Sequence, residues 1–73
     1  MISAEGHADA EAVRRCLRGE LVAEQLTTSG RELVVAIAHA RGLPDVAVAE
    51  RTGMTTYTAA RIRARLRLTA HRL

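Results

Sequence analysis

Seventy-three residues with a single aromatic, Tyr57, make one small domain whose core must come from Leu, Val, Ile, Ala and Met. Eleven arginines and no lysine face eight acids, and the net charge of +3 is laid out unevenly. Residues 51–73 hold six of the arginines and no acid. The lone Cys16 excludes an internal disulfide and a Cys-pair zinc site.

The longest apolar run, residues 33–38, is too short to span a bilayer. The start lacks the charged leader and apolar stretch of a secretory signal, so the cytoplasm is the expected compartment. Two serines, no Gly-rich phosphate loop and no recurring His–carboxylate pair argue against an enzyme. No cofactor and no small-molecule ligand are expected in a chain too short to enclose a substrate pocket. Fourteen alanines, with few aromatic or β-branched runs, favour an all-α fold.

Along the chain, residues 1–8 read as a frayed lead-in. Asp9 is expected to cap an accessory helix over residues 9–18, with Val13, Cys16 and Leu17 at helical spacing and Gly19 as its stop. That apolar face suits either a dimer contact or a lid on the core. Glu20 to Thr27 reads as a loop. Ser29 and Glu32 have the spacing of a capping box, which opens a second helix. Leu33, Val34, Ile37 and Ala40 or Arg41 carry its pattern to Gly42, and Leu43 is expected to fold back on Ile37 or Ala38.

Pro44 pre-sets the first turn of a third helix, Asp45 to Thr52, with Val48 and Ala49 inward and Gly53 at its end. Thr55 then caps a fourth helix running to about Leu68. Ala59, Ile62 and Leu66 share one face of it. Thr56, Tyr57, Ala60, Ala64 and Arg67 centre on the other, flanked by Arg61 and Arg63. Residues 29–68 are thus expected to form a tri-helical core without a wing after it.

A short helix, a glycine turn and a basic helix have the spacing of a helix-turn-helix. The residue types follow from its mechanics. Ala49 is small where two helices cross, Gly53 permits the turn, and Met54 and Ile62 wedge the crossing. The outer face of the last helix is then free for a nucleic-acid groove. A GC-rich genome accounts for arginine in place of lysine, but not for the clustering of arginines in the last third.

The stretch Leu26-Thr27 … Arg31-Glu32-Leu33-Val34 … Arg41-Gly42-Leu43 … Val48-Ala49-Glu50-Arg51-Thr52-Gly53-Met54-Thr55 … Arg61-Ile62-Arg63-Ala64-Arg65-Leu66 resembles bacterial tri-helical helix-turn-helix domains. These include the domains of response-regulator transcription factors, of the fourth region of sigma factors and of resolvases. The chain as a whole is also similar to small stand-alone helix-turn-helix proteins of actinobacteria, often encoded near mobile elements. The likeness covers roughly residues 26–68. It departs from the usual pattern at Pro44, for a capping Ser or Thr, at Thr52, for a large apolar residue, and at Ala59, for Val or Ile. The motif's own core is correspondingly smaller, and residues 1–26 are expected to fill it.

The resemblance implies sequence-specific binding of double-stranded DNA through the last helix, as a transcriptional regulator. By position on the motif, Thr56, Tyr57, Ala60 and Arg61 are expected at base edges. Thr55, Arg63, Arg65 and Arg67 are expected at phosphates. One module reads only a few base pairs, so a homodimer on a two-part site is a further expectation.

Plainer readings compete. An arginine-rich helix can be a solvated face, with Arg63 and Arg65 paired to Glu24, Glu32 or Glu50. Tyr57 can be a surface aromatic, and Asp45 is read as a helix-start charge. His7, His39 and His71 lie far apart in sequence with no neighbour at metal spacing, so no metal is expected. Two other functions fit the same fold: a protein-interaction module for RNA polymerase or another regulator, and a recognition domain detached from a mobile-element protein.

Overall fold

The computed structural model describes residues 4–71, with side chains from residue 10, and these residues are all-helical. Four helices follow in order: α1 (Ala4–Leu17), α2 (Thr28–Ala40), α3 (Asp45–Thr52) and α4 (Thr56–Arg65). A single 3-10 turn, Ala23–Gln25, lies between α1 and α2, and no strand occurs among the described residues. Residues 1–3 of the expected lead-in, and Arg72, lie outside the described residues.

α1 starts earlier than expected. The helix already runs from Ala4, so Asp9 is an interior residue rather than a cap, and residues 4–8 are helical. Alanine at positions 4, 8, 10 and 12 explains the extension, since alanine is the best helix former. The expected stop holds. Glu20 N–H donates to the Arg15 carbonyl at 2.8 Å and Gly19 N–H to that of Cys16 at 2.9 Å, which satisfies the last carbonyls of the helix.

Val13, Cys16 and Leu17 are at most 6% exposed. They join Ala23 and Leu26 with Val34, Val35 and Ala38 of α2, Val48 of α3, and Ala59 and Ile62 of α4 in one cluster. Of the two roles open to α1, the structure therefore assigns the lid: its apolar face is spent on the core. The loop after it contributes as well, since Ala23 and Leu26 plug the same cluster. Burial of each Val, Leu or Ile contributes about 1.5–3 kcal/mol, which a core without aromatics needs. Burial also pushes the Cys16 thiol pKa up, because the thiolate would sit away from water.

The start of α2 differs from the capping-box reading. Thr27, not Ser29, is the cap: its backbone is extended and its Oγ1 accepts the Gly30 N–H at 3.0 Å. Ser29 is already inside the helix. Burial of Leu26 sets where the chain must turn upward, and the hydroxyl next to it does the capping. The buried stripe of α2 is also rotated. Gly30, Val34, Val35 and Ala38 face inward, whereas Leu33 is 46% exposed and Ala40 and Arg41 face solvent. Leu43 packs back on the core as expected.

α3 has the expected bounds, and Gly53 ends it with a backbone φ of 76°. A Cβ there would lie 3.0 Å from Val22 Cγ1 and 3.2 Å from Val22 Cβ, so the turn and the loop after α1 are closely apposed. Gly53→Ala is expected to destabilise the fold by about 1–2 kcal/mol, from left-handed strain together with that contact. Urea denaturation of the two proteins checks it.

The residues that depart from the resembled pattern are accommodated. Thr52 is 1% exposed and its hydroxyl donates to the Val48 carbonyl at 2.7 Å, so the polar atom is satisfied. Ala59 is fully buried in the same cluster as the α1 lid.

α4 is shorter than expected, ending at Arg65 rather than near Leu68. Arg67 adopts a left-handed φ of 61°, and the N–H groups of Arg67 and Leu68 donate to the carbonyls of Ala64 and Arg63. The tail then returns to α2. The rings of His39 and His71 stack with centroids 4.2 Å apart. Each Nε2–H donates to a carbonyl, His39 to Thr69 at 2.6 Å and His71 to His39 at 2.7 Å. Two histidines remote in sequence thus pin the tail to the end of α2.

Candidate nucleic-acid interface

α3, the turn through Gly53 and α4 stand together, with α4 packed on both α3 and α2. Thr55 caps α4: its Oγ1 accepts the Thr58 N–H at 3.0 Å. Met54 and Leu66 pack against the core, and Ile62 is 6% exposed. That anchoring turns the opposite face outward.

Of the four residues expected at base edges, Thr56, Tyr57 and Arg61 are exposed and Ala60 is half-buried. Tyr57, 70% exposed, lies one turn before Arg61, whose guanidinium carbon is 5.7 Å from the ring centroid. Such a cation–π contact holds two long side chains on one line of the helix without removing either from solvent. No acid occurs on α4.

The four residues expected at phosphates divide. Thr55 lies at the α4 start, where free backbone N–H groups and the positive end of the helix dipole favour an anion. Arg67 is exposed. Arg63 is not free. Its Nε donates to both Asp45 oxygens, at 2.8 and 3.1 Å, and its Nη1 to the Leu68 carbonyl at 2.8 Å. Both partners of that ion pair are largely buried, and these contacts tie α4 and the tail to the start of α3. Arg65 pairs with Glu32 at 3.1 Å, but more than half of its side chain is exposed. Such a pair is weak and opens readily.

A groove of about 270 Å³ runs between the start of α2 and α4, lined by Thr28, Arg31, Thr58, Arg61, Ile62 and Arg65. No contact with nucleic acid was expected from the sequence for Thr28, Arg31 or Thr58. Arg31 donates to the Leu26 carbonyl at 3.0 Å and to the Thr28 hydroxyl at 3.4 Å. The only signal in the sequence was its place in the first turn of a helix, which says nothing of α4. Two helix starts, those of α2 and α4, therefore border one strip that carries three arginines.

Away from this strip, Arg18 and Glu20 form a two-pronged pair at 2.9 and 3.2 Å. The hydrogen bond from Arg18 holds the Glu20 carboxyl below its usual range, and the same bond raises the Arg18 guanidinium. Among the described residues no group of three or more His, Cys, Asp or Glu is placed to hold a metal ion. Nor is any described helix long and apolar enough to cross a membrane. No protein family, curated protein or solved structure matches the chain.

Proposed function

We propose that this chain is a sequence-specific DNA-binding transcriptional regulator of the cytoplasm that sets α4 into the major groove of duplex DNA. The observation that carries this reading is the outward face of α4. It is anchored from behind by Ala59 and Ile62, it is free of acids, and it presents Thr56, Tyr57 and Arg61 to solvent. In this reading those side chains, with Ala60, meet base edges. The strip beside them, with Thr55, Thr28, Arg31, Arg65 and Arg67, takes the phosphates. Because Val13, Cys16 and Leu17 are spent on the core, a dimer on a two-part site must use other surface.

Fluorescence anisotropy tests this directly, with the chain's own upstream DNA and a random duplex across a salt series. The expected result is tighter binding to the upstream duplex, with log Kd rising with log salt at a slope set by the phosphates contacted. Equal, weak binding to both duplexes would sink the reading. A second reading, docking on RNA polymerase or another regulator, draws support from the carboxylates that neutralise Arg63 and Arg65. It predicts that Arg61 variants lose a protein partner while DNA binding is unchanged.

A further inference from the structure

A second basic cluster lies at the other end of α2. Arg14 and Arg18 of the α1 end, Arg41 just after α2 and Arg51 of α3 surround an open cleft of about 420 Å³, with Leu17 between them. None of these residues lines the α4 groove. Arg31 and Arg41 mark the two sites on one helix, and at 1.5 Å per residue they are about 15 Å apart along its axis.

Helix-end compensation accounts for part of the cluster. The C-terminal end of a helix is partly negative, and one arginine near each end offsets it. It does not account for four arginines lining one open cleft that no carboxylate lines. Two of the four arginines are paired with acids outside the cleft. Glu11 holds Arg14 at 3.1 Å and Glu20 holds Arg18 at 2.9 Å, and neither acid enters the cleft. Arg41 and Arg51 have no side-chain hydrogen bond or ion pair among the described residues. Two cations left without an acid on one cleft favour an anion there.

We infer that this cleft binds a compact polyphosphate, a chain of two or more linked phosphoryl groups, free or carried on a nucleotide. Guanidinium forks match phosphate oxygens in pairs, and several anionic oxygens in one ligand answer several arginines at once. Arg41 and Arg51 are the primary contacts, and Arg14 and Arg18 close the rim. The inference is independent of the role proposed for α4.

The test is a ¹H–¹⁵N NMR titration of the full chain with sodium tripolyphosphate at constant ionic strength, with orthophosphate and a random DNA duplex as separate arms. Saturable shifts are expected at Arg14, Arg18, Arg41 and Arg51, with tripolyphosphate binding at least about tenfold more tightly than orthophosphate. Arg41→Gln combined with Arg51→Gln, both at exposed positions, should weaken that binding about tenfold or more and leave the remaining spectrum in place. Arg61→Ala should leave it unchanged. The same tripolyphosphate with a nucleoside attached, as ATP, tells the two sources apart: binding of either at the four arginines upholds the site. Shifts spread evenly over all arginines, undiminished binding in the double variant, or a response of these residues to the duplex alone would each overturn it.

Discussion

Arg61→Ala is expected to weaken binding to the preferred duplex by about 1–3 kcal/mol, roughly five- to 150-fold in Kd, and to relax discrimination at one base pair. Arg61 is exposed, lies one turn from Tyr57 on the outward face, and has no carboxylate partner among the described residues. Its removal therefore leaves no buried group unsatisfied, and the melting temperature should hold. Arg67→Gly is the matched control. It removes one exposed positive charge and relieves a left-handed backbone, so it should lower the salt slope by about one phosphate without changing sequence preference. Competition anisotropy against single-base variants of the duplex separates the two. Equal losses on every sequence with Arg61→Ala would assign that side chain to phosphate instead.

Arg63→Ala is expected to act on the fold rather than on DNA. Its side chain is 17% exposed, that of Asp45 is 20% exposed, and the same guanidinium also caps the Leu68 carbonyl. Removing it leaves Asp45 and that carbonyl to find water at a half-closed site. A fully buried pair broken on one side costs about 3–5 kcal/mol, and partial exposure brings the expected loss here to about 1–3 kcal/mol. Asp45 keeps its favourable interaction with the start of α3 when Arg63 is removed, whereas Asp45→Asn loses that interaction together with the ion pair, so Asp45→Asn should cost at least as much as Arg63→Ala. A double-mutant cycle in urea should give a coupling energy of about 1 kcal/mol or more. Additive effects would show that the pair is not coupled.

These outcomes track what could be read from residues alone. Gly19, Gly42 and Gly53 stop their helices where expected, because a left-handed exit is a local requirement that glycine meets most easily. Pro44 and Gly53 bracket α3, and Thr55 caps α4, each through contacts within four residues. Apart from the early start of α1, the departures arose where a remote partner decided. Thr27 and Ser29 are both plausible caps locally, and burial of Leu26 selects the first. Leu33 fits the apolar spacing as well as Val35 does, but the packing of α1 on α2 selects Val35.

The candidate interface divides in the same way. Thr56, Tyr57 and Arg61 were legible because helical spacing alone puts them opposite Ala59 and Ile62. The fate of Arg63 was not, since its acid lies 18 residues away on another helix. Arg31 was invisible as part of the α4 strip for the same reason, and so was the meeting of His39 with His71.

By itself, the sequence determined an all-helical chain, the stops of its helices and a last helix with one apolar and one polar face. Those properties arise from short-range backbone sterics and from a periodicity of 3.6 residues, which a linear string carries in full. Only the tertiary structure decided that α1 is a lid, which arginines are held by carboxylates and which converge on open clefts. Side-chain pairing depends on how helices far apart in the chain are set against one another, and that setting is a property of the packed core as a whole.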